Sequence, residues 1–591
     1  MNRRRVLISC IAIVAVVFIA YFNALKLGFY GDDWIFYDLA GRLNLADYLA
    51  KYFDPRLQTA WYRPVQGVLF RAEYEIFGAN PLGYHLLNVL VHLANCFWLY
   101  GIMWRITHRM RLSFFAALIF ATLPTAALAV FWPGVIDSVE TFFYLASIWF
   151  WLGYLQSMHA RNYWLAFGAF LFALLSKEIG VTLPITLFLI DRFIIGKSIS
   201  RAEVFRRYVW FAVAWLVYLP IEYIVTRRSV FITREGYSPG LGLVSNLMDY
   251  LSALAFPWFT IPPVNYGILL MACLALAYAI FVRKMHAFIP IIIGAVLAIL
   301  PVALFPFVAN RFLYLSLVAS AIMYAALIDW LWQRAAITRA LAVALLVVAT
   351  LWGSATISDS ALGFGEWARV ARVPFRNVSQ AHPSFAPDTY LYFVDPPVPG
   401  TNLSGMFFWR YGTSVAVGAT DGNQPAGLRD HANTFVYVFD AQGEQLELRV
   451  EKNSVAGAVP PLPVTFAASI RLEGFELVSE KVKSNEPIVL FLYWRGLERI
   501  PHDYIVAVDL IDSAGKSVME YRQEPRRGKS PTSAWKPGEL VVDAIQLSVA
   551  ALPTGKYELA IGLDSPRASV PLAGDAARSR IMLAPLAISQ R

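Results

Sequence analysis

The sequence predicts an α-helical polytopic membrane protein with a β-sandwich in its C-terminal region. Of its 591 residues, 58% are hydrophobic and only 15% are charged, whereas soluble domains carry about 25% charged residues. Apolar segments of about 20 residues, the length that crosses a bilayer, recur up to residue 356. Beyond residue 380, runs of apolar and polar residues alternate with the period of a β-strand.

The apolar segments that are long enough to span a membrane number about eleven. They are 6–25, 84–104, 112–131, 138–156, 162–176, 179–195, 208–226, 264–282, 286–306, 311–332 and 338–356. Basic residues collect in the loops at one end of these segments, for example at 3–5, 105–111 and 192–207. Positively charged loops stay in the cytoplasm. The sequence therefore predicts a multi-pass protein of the plasma (inner) membrane, with a cytoplasmic N-terminus and an extracytoplasmic C-terminal region.

The first outer loop, 26–83, contains patterns of short amphipathic helices that lie along the membrane surface. The later segment 246–259 predicts either another interfacial helix or a re-entrant piece, because prolines interrupt it.

Strand patterns in the C-terminal region end in turns rich in Gly, Asp and Pro, at 435–443, 504–515 and 553–563. Such runs are typical of an antiparallel sandwich. We expect three domains: a transmembrane domain over 1–356, an extracytoplasmic β-rich domain over 357–460 and an immunoglobulin-like sandwich over 461–591. The boundary at 460 lies in the proline-rich linker 459–463.

Two adjacent carboxylates, Asp32 and Asp33, directly follow the first apolar segment and stand between aromatic residues. That segment has no small-residue cleavage pattern, so we interpret it as an uncleaved anchor. Acidic groups held at membrane depth are costly and usually mark a site. The alternative is two solvated acids at a helix end, but the aromatic flanks favour a functional pair.

A second pair of acids, Asp137 and Glu140, begins the fourth apolar segment. Their spacing of three places both carboxylates on one helical face. The pair also fits an N-terminal capping box with Asp137 as the cap. The two interpretations are compatible.

Three cations, Arg63, Lys177 and Arg311, fall at the outer ends of the segments and so break the charge rule. An anionic partner such as a phosphate would explain them. For Lys177, a local ion pair with Glu178 is the alternative. His85 and His92 share one helical face, but a histidine in such a place is more often a core group than a ligand.

Acids and cations at one membrane face suit a lipid-linked phosphate donor. The cations would stabilise the leaving phosphate, and a carboxylate would accept a proton from an incoming hydroxyl. The sequence has no phosphate-binding loop, zinc-ligand spacing or nucleophile elbow, so nucleotide and hydrolase chemistry have no motif behind them. Cys10, Cys96 and Cys273 lie inside apolar segments and suggest neither disulfides nor a metal cluster. The basic residues in short loops make nucleic-acid binding a poor interpretation.

Residues up to 356 resemble the GT-C superfamily of polytopic glycosyltransferases, which includes protein O-mannosyltransferases and lipid A aminoarabinose transferases. Asp32 and Asp33 match the acidic pair of that family, and Asp137 matches an acid in its second outer loop. The remaining motifs that resemble the family are 62–64, 78–81, 84–92, 176–178 and 311–314. The β-rich tail departs from TMTC-type members, which end in helical repeats, and this difference puts the acceptor in doubt more than the chemistry.

The resemblance implies a single inverting transfer of a sugar from a polyprenyl-phosphate donor to a glycan, lipid or protein acceptor on the outer face. Asp32 or Asp33 would be the base, and the family pattern favours Asp32. Lys177 and Arg311 would bind the donor phosphate, and Asp137 would lie near the acceptor. The other predicted substrate-binding residues are Arg63, His85, Glu140, Glu178 and Tyr314.

No cofactor is predicted with certainty, and a divalent cation beside the acidic pair is left open. Two alternatives from other classes remain. A transporter or flippase for lipid-linked saccharides predicts internal repeats and ionisable groups throughout the membrane depth. A receptor or scaffold with a glycan-binding sandwich leaves the acidic pair without a role.

Overall fold

The computed structural model describes residues 3–590, except 59, 196–199, 230–241, 260, 306, 422–426, 440–442, 451–463, 468, 566–568 and 574–577. The chain forms two compact units, Met1–Val370 and Ala371–Arg591. The predicted turn at 440–442 and the linker at 459–463 lie outside the described residues.

The N-terminal unit is built of helices, as its apolar segments predict. They are α1 Arg3–Ala20, α2 Asp32–Arg42, α3 Leu45–Phe53, α4 Pro64–Phe77, α5 Pro81–Thr107, α6 Met110–Ala121, α7 Ala127–Phe131, α8 Asp137–Ser157, α9 Ala160–Ser176, α10 Leu183–Ile190, α11 Arg201–Arg228, α12 Leu243–Ala255, α13 Pro262–Ala277, α14 Phe288–Ala303, α15 Leu317–Trp332 and α16 Ala336–Ala371. Short 3₁₀ or π turns occur at Ala24–Lys26, Pro124–Ala126, Glu178–Thr182, Asp191–Ile195, Tyr278–Val282 and Asn310–Leu313.

Every predicted apolar segment is largely helical, but the helices differ in length. Among the described residues, four are long and apolar enough to cross a membrane: α5, α11, Pro262–Val282 and α16. The pair Met110–Ala121 and Pro124–Phe131, bent by 53°, would make a fifth if it is one span. Pro124 has no N–H to continue the helical ladder, which accounts for a break at this point. The helical membrane class is confirmed, while the count of eleven spans stays a prediction.

The interior of this unit is one apolar core in which Ile13, Phe120, Trp151, Phe170 and Ile299 are fully buried. Its outer surface is also apolar: Leu216, Phe281 and Ile337 are each more than 70% exposed. An apolar surface of this kind is unfavourable in water and suits contact with lipid.

The first outer loop folds into three short helices, α2, α3 and α4. The Tyr48 hydroxyl of α3 donates to the Gly67 carbonyl of α4 at 3.1 Å. A Cβ on Gly67 would lie 2.2 Å from the Tyr52 ring, so glycine permits this close approach. The short helices predicted in this loop are present, and α4 is an addition that begins at Pro64 in its first turn. The segment 246–259 is mostly helix α12.

In its described residues, the C-terminal unit combines two α-helices with three sheets. Its helices are α17 Val373–Ala381 and α18 Gly400–Tyr411, and its strands are β1 Thr389–Val394, β2 Val415–Ala419, β3 Asn433–Phe439, β4 Gln445–Arg449, β5 Val464–Phe466, β6 Ile470–Leu477, β7 Lys481–Lys483, β8 Pro487–Gly496, β9 Ile505–Asp512, β10 Ser517–Gln523, β11 Leu540–Ser548, β12 Gly555–Asp564 and β13 Ile581–Ser589. The sheet orders are β2-β1-β3-β4, β10-β9-β12-β13-β7 and β11-β8-β6-β5.

The first half of the tail differs from the predicted antiparallel sandwich. Helix α16 continues to Ala371, well past the expected boundary at 357. Strand β1 pairs in parallel with both β2 and β3, and only β4 is antiparallel in that sheet. The reason is α18, which carries the chain from the end of β1 back to the start of β2, as parallel pairing requires.

The second half is a β-sandwich, as predicted. Its two sheets enclose a core in which Leu490 and Trp494 of β8 face Val508 of β9 and Leu559 of β12, all nearly inaccessible. The apolar residues whose alternation predicted β9 and β12 are therefore the ones that lie in this core. An immunoglobulin-like topology stays a prediction.

Candidate active site

Asp33 lies in the first turn of α2 and is fully buried. Its Oδ2 accepts a hydrogen bond from the Tyr30 N–H at 2.9 Å, and its Oδ1 accepts one from the Gly134 N–H at 2.5 Å. Burial raises the pKa of this carboxyl well above its usual range, while the two backbone donors act against that rise. Asp33 thus ties the start of α2 to the loop before α8.

Asp32 precedes Asp33 but keeps its side chain exposed. Surrounding protein raises the pKa of the Asp32 carboxyl, and the positive charges of Arg311 and Arg63 lower it. Gly31 allows the turn from which α2 begins, because its φ is +53° and a Cβ there would lie 2.8 Å from the Trp132 ring. Of the acidic pair, Asp32 is the member that a substrate can reach.

Two ion pairs join distant elements at this end of the unit. The Arg63 guanidinium contacts Glu178 through its Nε and its Nη2, and the Nη2 lies 2.9 Å from the Glu178 Oε2. Lys177 pairs with Asp137, and both side chains are at most 7% exposed. Adjacent residues at the end of α9 therefore bind partners on α4 and α8.

These contacts overturn two of the alternatives weighed on sequence. The N-cap of α8 is Ile136 and no side chain caps it, so the capping-box interpretation is wrong: the Asp137 carboxylate goes to Lys177 instead. The local pair of Lys177 with Glu178 is also wrong, because each has a partner on another helix.

Arg311 lies in the 3₁₀ turn before α15 and is half-buried. Its guanidinium is 5.0 Å from the ring centres of both Trp132 and Phe312. Lys177 contacts the same Phe312 ring at 4.6 Å. Among the described residues no carboxylate forms an ion pair with Arg311, which leaves its charge available to an anion.

Behind these groups, a buried network connects α5 with the Arg311 turn. The His92 Nδ1 is 2.6 Å from the Tyr314 hydroxyl, and its Nε2 lies 3.4 Å from the Ala121 carbonyl. Asn95 donates to both the Tyr314 hydroxyl and the Ser138 carbonyl. Because the Ala121 carbonyl can only accept, the His92 Nε2 carries the proton. The His92 Nδ1 therefore accepts a hydrogen bond from the Tyr314 hydroxyl. Tyr314 fixes the turn from inside, and its predicted substrate contact stays a prediction.

His85 and Glu140 are buried as well, at 0% and 1% exposure. Glu140 lies within electrostatic range of Lys177, Asp137 and Glu178. Its Oε1 has no hydrogen-bond partner among the described residues. Glu140 therefore belongs to the cluster of ionisable groups, whereas His85 lies on the buried face of α5.

Sequence reasoning missed the loop before α8 as a structural centre. Gly134 donates to Asp33, and its carbonyl accepts from Gln66 at 2.6 Å. A Cβ at Gly134 would lie 2.7 Å from the Asp33 Oδ1. The signal available was the Trp132-Pro133-Gly134 turn. Glu222 of α11, which lies near Glu178 and Arg63, was also missed.

The described residues contain no group of three or more His, Cys, Asp or Glu placed to hold a metal ion. Both carboxylate oxygens of Asp33 accept hydrogen bonds from backbone N–H groups. Of the acidic pair, Asp32 is therefore the member that would offer its carboxylate to a divalent cation.

Two apolar cavities lie between the helices of this unit. One, of about 410 Å³, includes Tyr144 of α8, one turn beyond Glu140. It extends along α15 from Val318 to Trp330, a distance of about 18 Å. The other, of about 370 Å³, lies between α9 and α11 and begins at Tyr62, next to Arg63. Both have the apolar lining and the volume of ligand pockets.

The family model for dolichyl-phosphate-mannose-protein mannosyltransferases matches residues 63–224. This match includes Arg63, Asp137 and Lys177, but not Asp32 or Arg311. The protein O-mannosyl-transferase Tmtc1 of Drosophila melanogaster is 31% identical over 182 residues, which cover 28% of this chain and 21% of the relative. Tmtc3 of the same organism is 29% identical over 157 residues, covering 21% and 16%. The matches thus span about a fifth of these relatives.

A solved structure shares the fold over most of the chain. It is ArnT from Cupriavidus metallidurans, in a crystal structure bound to undecaprenyl phosphate, with a TM-score of 0.50 and 13% identity. The match covers 75% of this chain and 94% of that one. At this identity the likeness concerns the fold.

Proposed function

We propose that this chain, a GT-C superfamily member, is a membrane glycosyltransferase that uses a polyprenyl-phosphate-linked sugar donor. The observation that carries the proposal is an exposed carboxylate, Asp32, within electrostatic range of the two arginines Arg63 and Arg311. Transfer of a glycosyl group needs a base for the incoming hydroxyl and a positive charge for the departing phosphate. The site offers both.

In the proposed reaction, the acceptor hydroxyl oxygen attacks the anomeric carbon of the donor and its proton passes to Asp32. The bond from that carbon to the phosphate oxygen breaks, and the electron pair stays on the polyprenyl phosphate. A single displacement from the opposite side inverts the anomeric centre. Arg311 stabilises the developing charge, because no described carboxylate forms an ion pair with it.

In this proposal, three further residues hold the site in place and do not contact the reacting atoms: Asp33, Lys177 and Asp137. Asp33 fixes the start of α2 by its two backbone hydrogen bonds and thereby aims Asp32. Lys177 is buried against Asp137, so we assign it to holding α8 and α9 together beneath the phosphate. Arg63 keeps Glu178 as its ion-pair partner and remains within electrostatic range of Asp32.

The apolar cavities support a donor with a long hydrocarbon tail. The larger one is lined by Leu315 and Ser316, which closely follow Arg311, and continues through the helical core to Asp329 at the opposite helix ends. We therefore place the donor tail in this cavity and its phosphate at Arg311. Basic residues cluster at the opposite helix ends, so we place the reaction on the extracytoplasmic face of the plasma (inner) membrane. The acceptor is a glycan, lipid or protein on that face.

The test is sugar transfer by the full chain reconstituted in vesicles with a radiolabelled polyprenyl-phosphate sugar. We expect Asp32→Asn to lower kcat by about 10²- to 10⁴-fold, the usual contribution of a general base. Asp38→Asn, on the same helix and paired with Arg42, is the matched control and should retain activity. Transfer that survives Asp32→Asn would rule out this mechanism, and movement of intact donor across the bilayer without transfer would favour a flippase.

A further inference from the structure

The C-terminal unit carries polar residues at one edge of its parallel sheet that the proposed reaction does not use. Strands β1 and β2 are parallel neighbours, so their carboxyl ends meet at that edge. Open α/β sheets bind ligands beyond the carboxyl ends of their strands. Asp395 follows the last residue of β1, and Thr420 follows the last residue of β2.

The residues at this edge are held against one another. The Asp395 N–H donates to the Thr420 hydroxyl oxygen at 2.7 Å. The Thr420 hydroxyl donates to the Asp395 Oδ1 at 3.2 Å. The segment after β10 adds two arginines: the Arg527 Nε lies 3.5 Å from the Asp395 Oδ2, and the Arg526 N–H donates to the Asp543 Oδ1 at 2.7 Å. We call these five residues the edge site.

Backbone strain is concentrated here. Asp395, Arg526 and Arg527 have φ values of +47°, +53° and +55°, a region that side chains other than glycine rarely adopt. They are three of the eight such non-glycine residues that the structure describes. Strain of this kind persists where the surroundings impose it, and it gathers at ligand sites.

Two buried polar atoms beside the edge site have no partner among the described residues. They are the Arg526 Nε and the hydroxyl of Tyr392, a side chain that is 1% exposed. The Tyr392 ring packs on Phe491 at 5.0 Å and lies within electrostatic range of Arg526 and Asp421. Buried polar groups are normally satisfied, so these atoms indicate a polar occupant.

The charges limit what that occupant is. Three carboxylates, those of Asp395, Asp421 and Asp543, face two arginines, which disfavours an anion. The described residues also contain no set of ligands suited to a metal ion. A neutral molecule rich in hydroxyls fits these groups, because carboxylates and arginines bind hydroxyls by hydrogen bonds. A tyrosine such as Tyr521, in electrostatic range of Asp543 and Asp395, would cover such a molecule with its ring.

We infer that the edge site binds a neutral saccharide. If the chain is the glycosyltransferase proposed above, this saccharide is the glycan part of the acceptor, and that assignment rests on the proposed function. Saccharide binding itself does not rest on the proposed function, because it requires neither the donor nor Asp32.

The test is binding of fluorescently labelled neutral oligosaccharides of hexoses and N-acetylhexosamines to the full chain in nanodiscs, without donor lipid. Fluorescence anisotropy should show binding to the wild type and to Asp32→Asn. Asp395→Asn should weaken it at least tenfold. Glu520→Gln, at a 64% exposed side chain on β10, should leave it unchanged.

Arg527→Gly separates binding from folding. Glycine adopts the left-handed backbone without strain, so this variant should bind at least tenfold more weakly while its Tm is equal to or above that of the wild type. A wild type that binds no oligosaccharide of the set, equal binding by all variants, or preference for phosphorylated counterparts would overturn the inference. Loss of sugar transfer with binding intact would instead count against the proposed reaction alone.

Discussion

Asp32 and Asp33 are neighbours in sequence but differ in environment because consecutive residues of a helix point about 100° apart. One carboxylate turns into the interior and meets two backbone N–H groups, and the other faces outward. The sequence predicts the pair and its chemistry. It does not predict which carboxylate is buried and which faces outward, because the Gly134 donor to Asp33 lies 101 residues away.

The environment of Asp32 predicts how activity depends on pH. The proposed base Asp32 must be ionised to act, and partial desolvation by the surrounding protein raises its pKa above the usual value. The kcat/KM of transfer should therefore rise with pH through a range above the ordinary aspartate pKa of about 4. Arg311→Gln removes a charge that lowers this pKa, so the rising limb should move to higher pH. A pH–rate profile that is identical in the two proteins would contradict this account.

Gly134 should be intolerant of any side chain. A methyl group there would lie 2.7 Å from the Asp33 Oδ1, so Gly134→Ala must displace either the loop or the carboxylate. We expect about 1–3 kcal/mol of destabilisation and a loss of kcat of at least about tenfold, equal to about 1.4 kcal/mol. Thermal unfolding and transfer rates measure the two effects. Gly168→Ala on α9, where a Cβ meets open space, is the control and should retain both properties.

Between elements, the ion pairs determine which helices meet. Lys177 and Glu178 are consecutive, yet one binds α8 and the other binds α4. On sequence a local pair of the two was the alternative to an anionic partner for Lys177, and that alternative is wrong because each charge pairs with a residue that tertiary packing supplies. Helices were predictable from apolar length. The 53° bend after α6 and the parallel pairing of β1 were not, since each depends on a connection rather than on a pattern.

Removing one partner of the buried pair should cost far more than removing both. Lys177→Met leaves the Asp137 carboxylate buried without a counter-charge, for which we expect a loss of about 3–5 kcal/mol. Lys177→Met combined with Asp137→Asn should recover part of that loss, as measured by thermal unfolding in detergent. The exposed pair of Arg369 with Glu366 is the comparison, and Arg369→Gln should change stability by less than about 1 kcal/mol. Additive single losses would show that the two residues are not coupled.

For the whole molecule, the larger apolar cavity predicts where the donor tail lies. Gly294 of α14 lines this cavity, and a Cβ there meets only Thr186 at 3.6 Å. Gly294→Leu should therefore project into the cavity. We expect it to raise the KM for a long-chain polyprenyl donor by at least about tenfold, equal to about 1.4 kcal/mol, with little effect on a short-chain analogue.

The matched control is Gly267→Leu on α13, where a Cβ has no neighbour within 4 Å. It makes the same change of residue outside the cavity. Equal effects of Gly294→Leu on long and short donors would place the tail elsewhere.

The sequence separations within the site bear on how the protein is made. The hydrogen-bond partner of Asp33, Gly134, follows it by 101 residues, and the partner of His92, Tyr314, follows it by 222 residues. At a synthesis rate of about 5–20 residues per second, the acidic pair emerges roughly 5–20 s before its backbone partner. During that interval the Asp33 carboxylate has its Tyr30 donor but lacks its Gly134 donor. Both ion pairs, Arg63 with Glu178 and Lys177 with Asp137, are also complete in sequence before Arg311, to which we assign the donor phosphate, is synthesised.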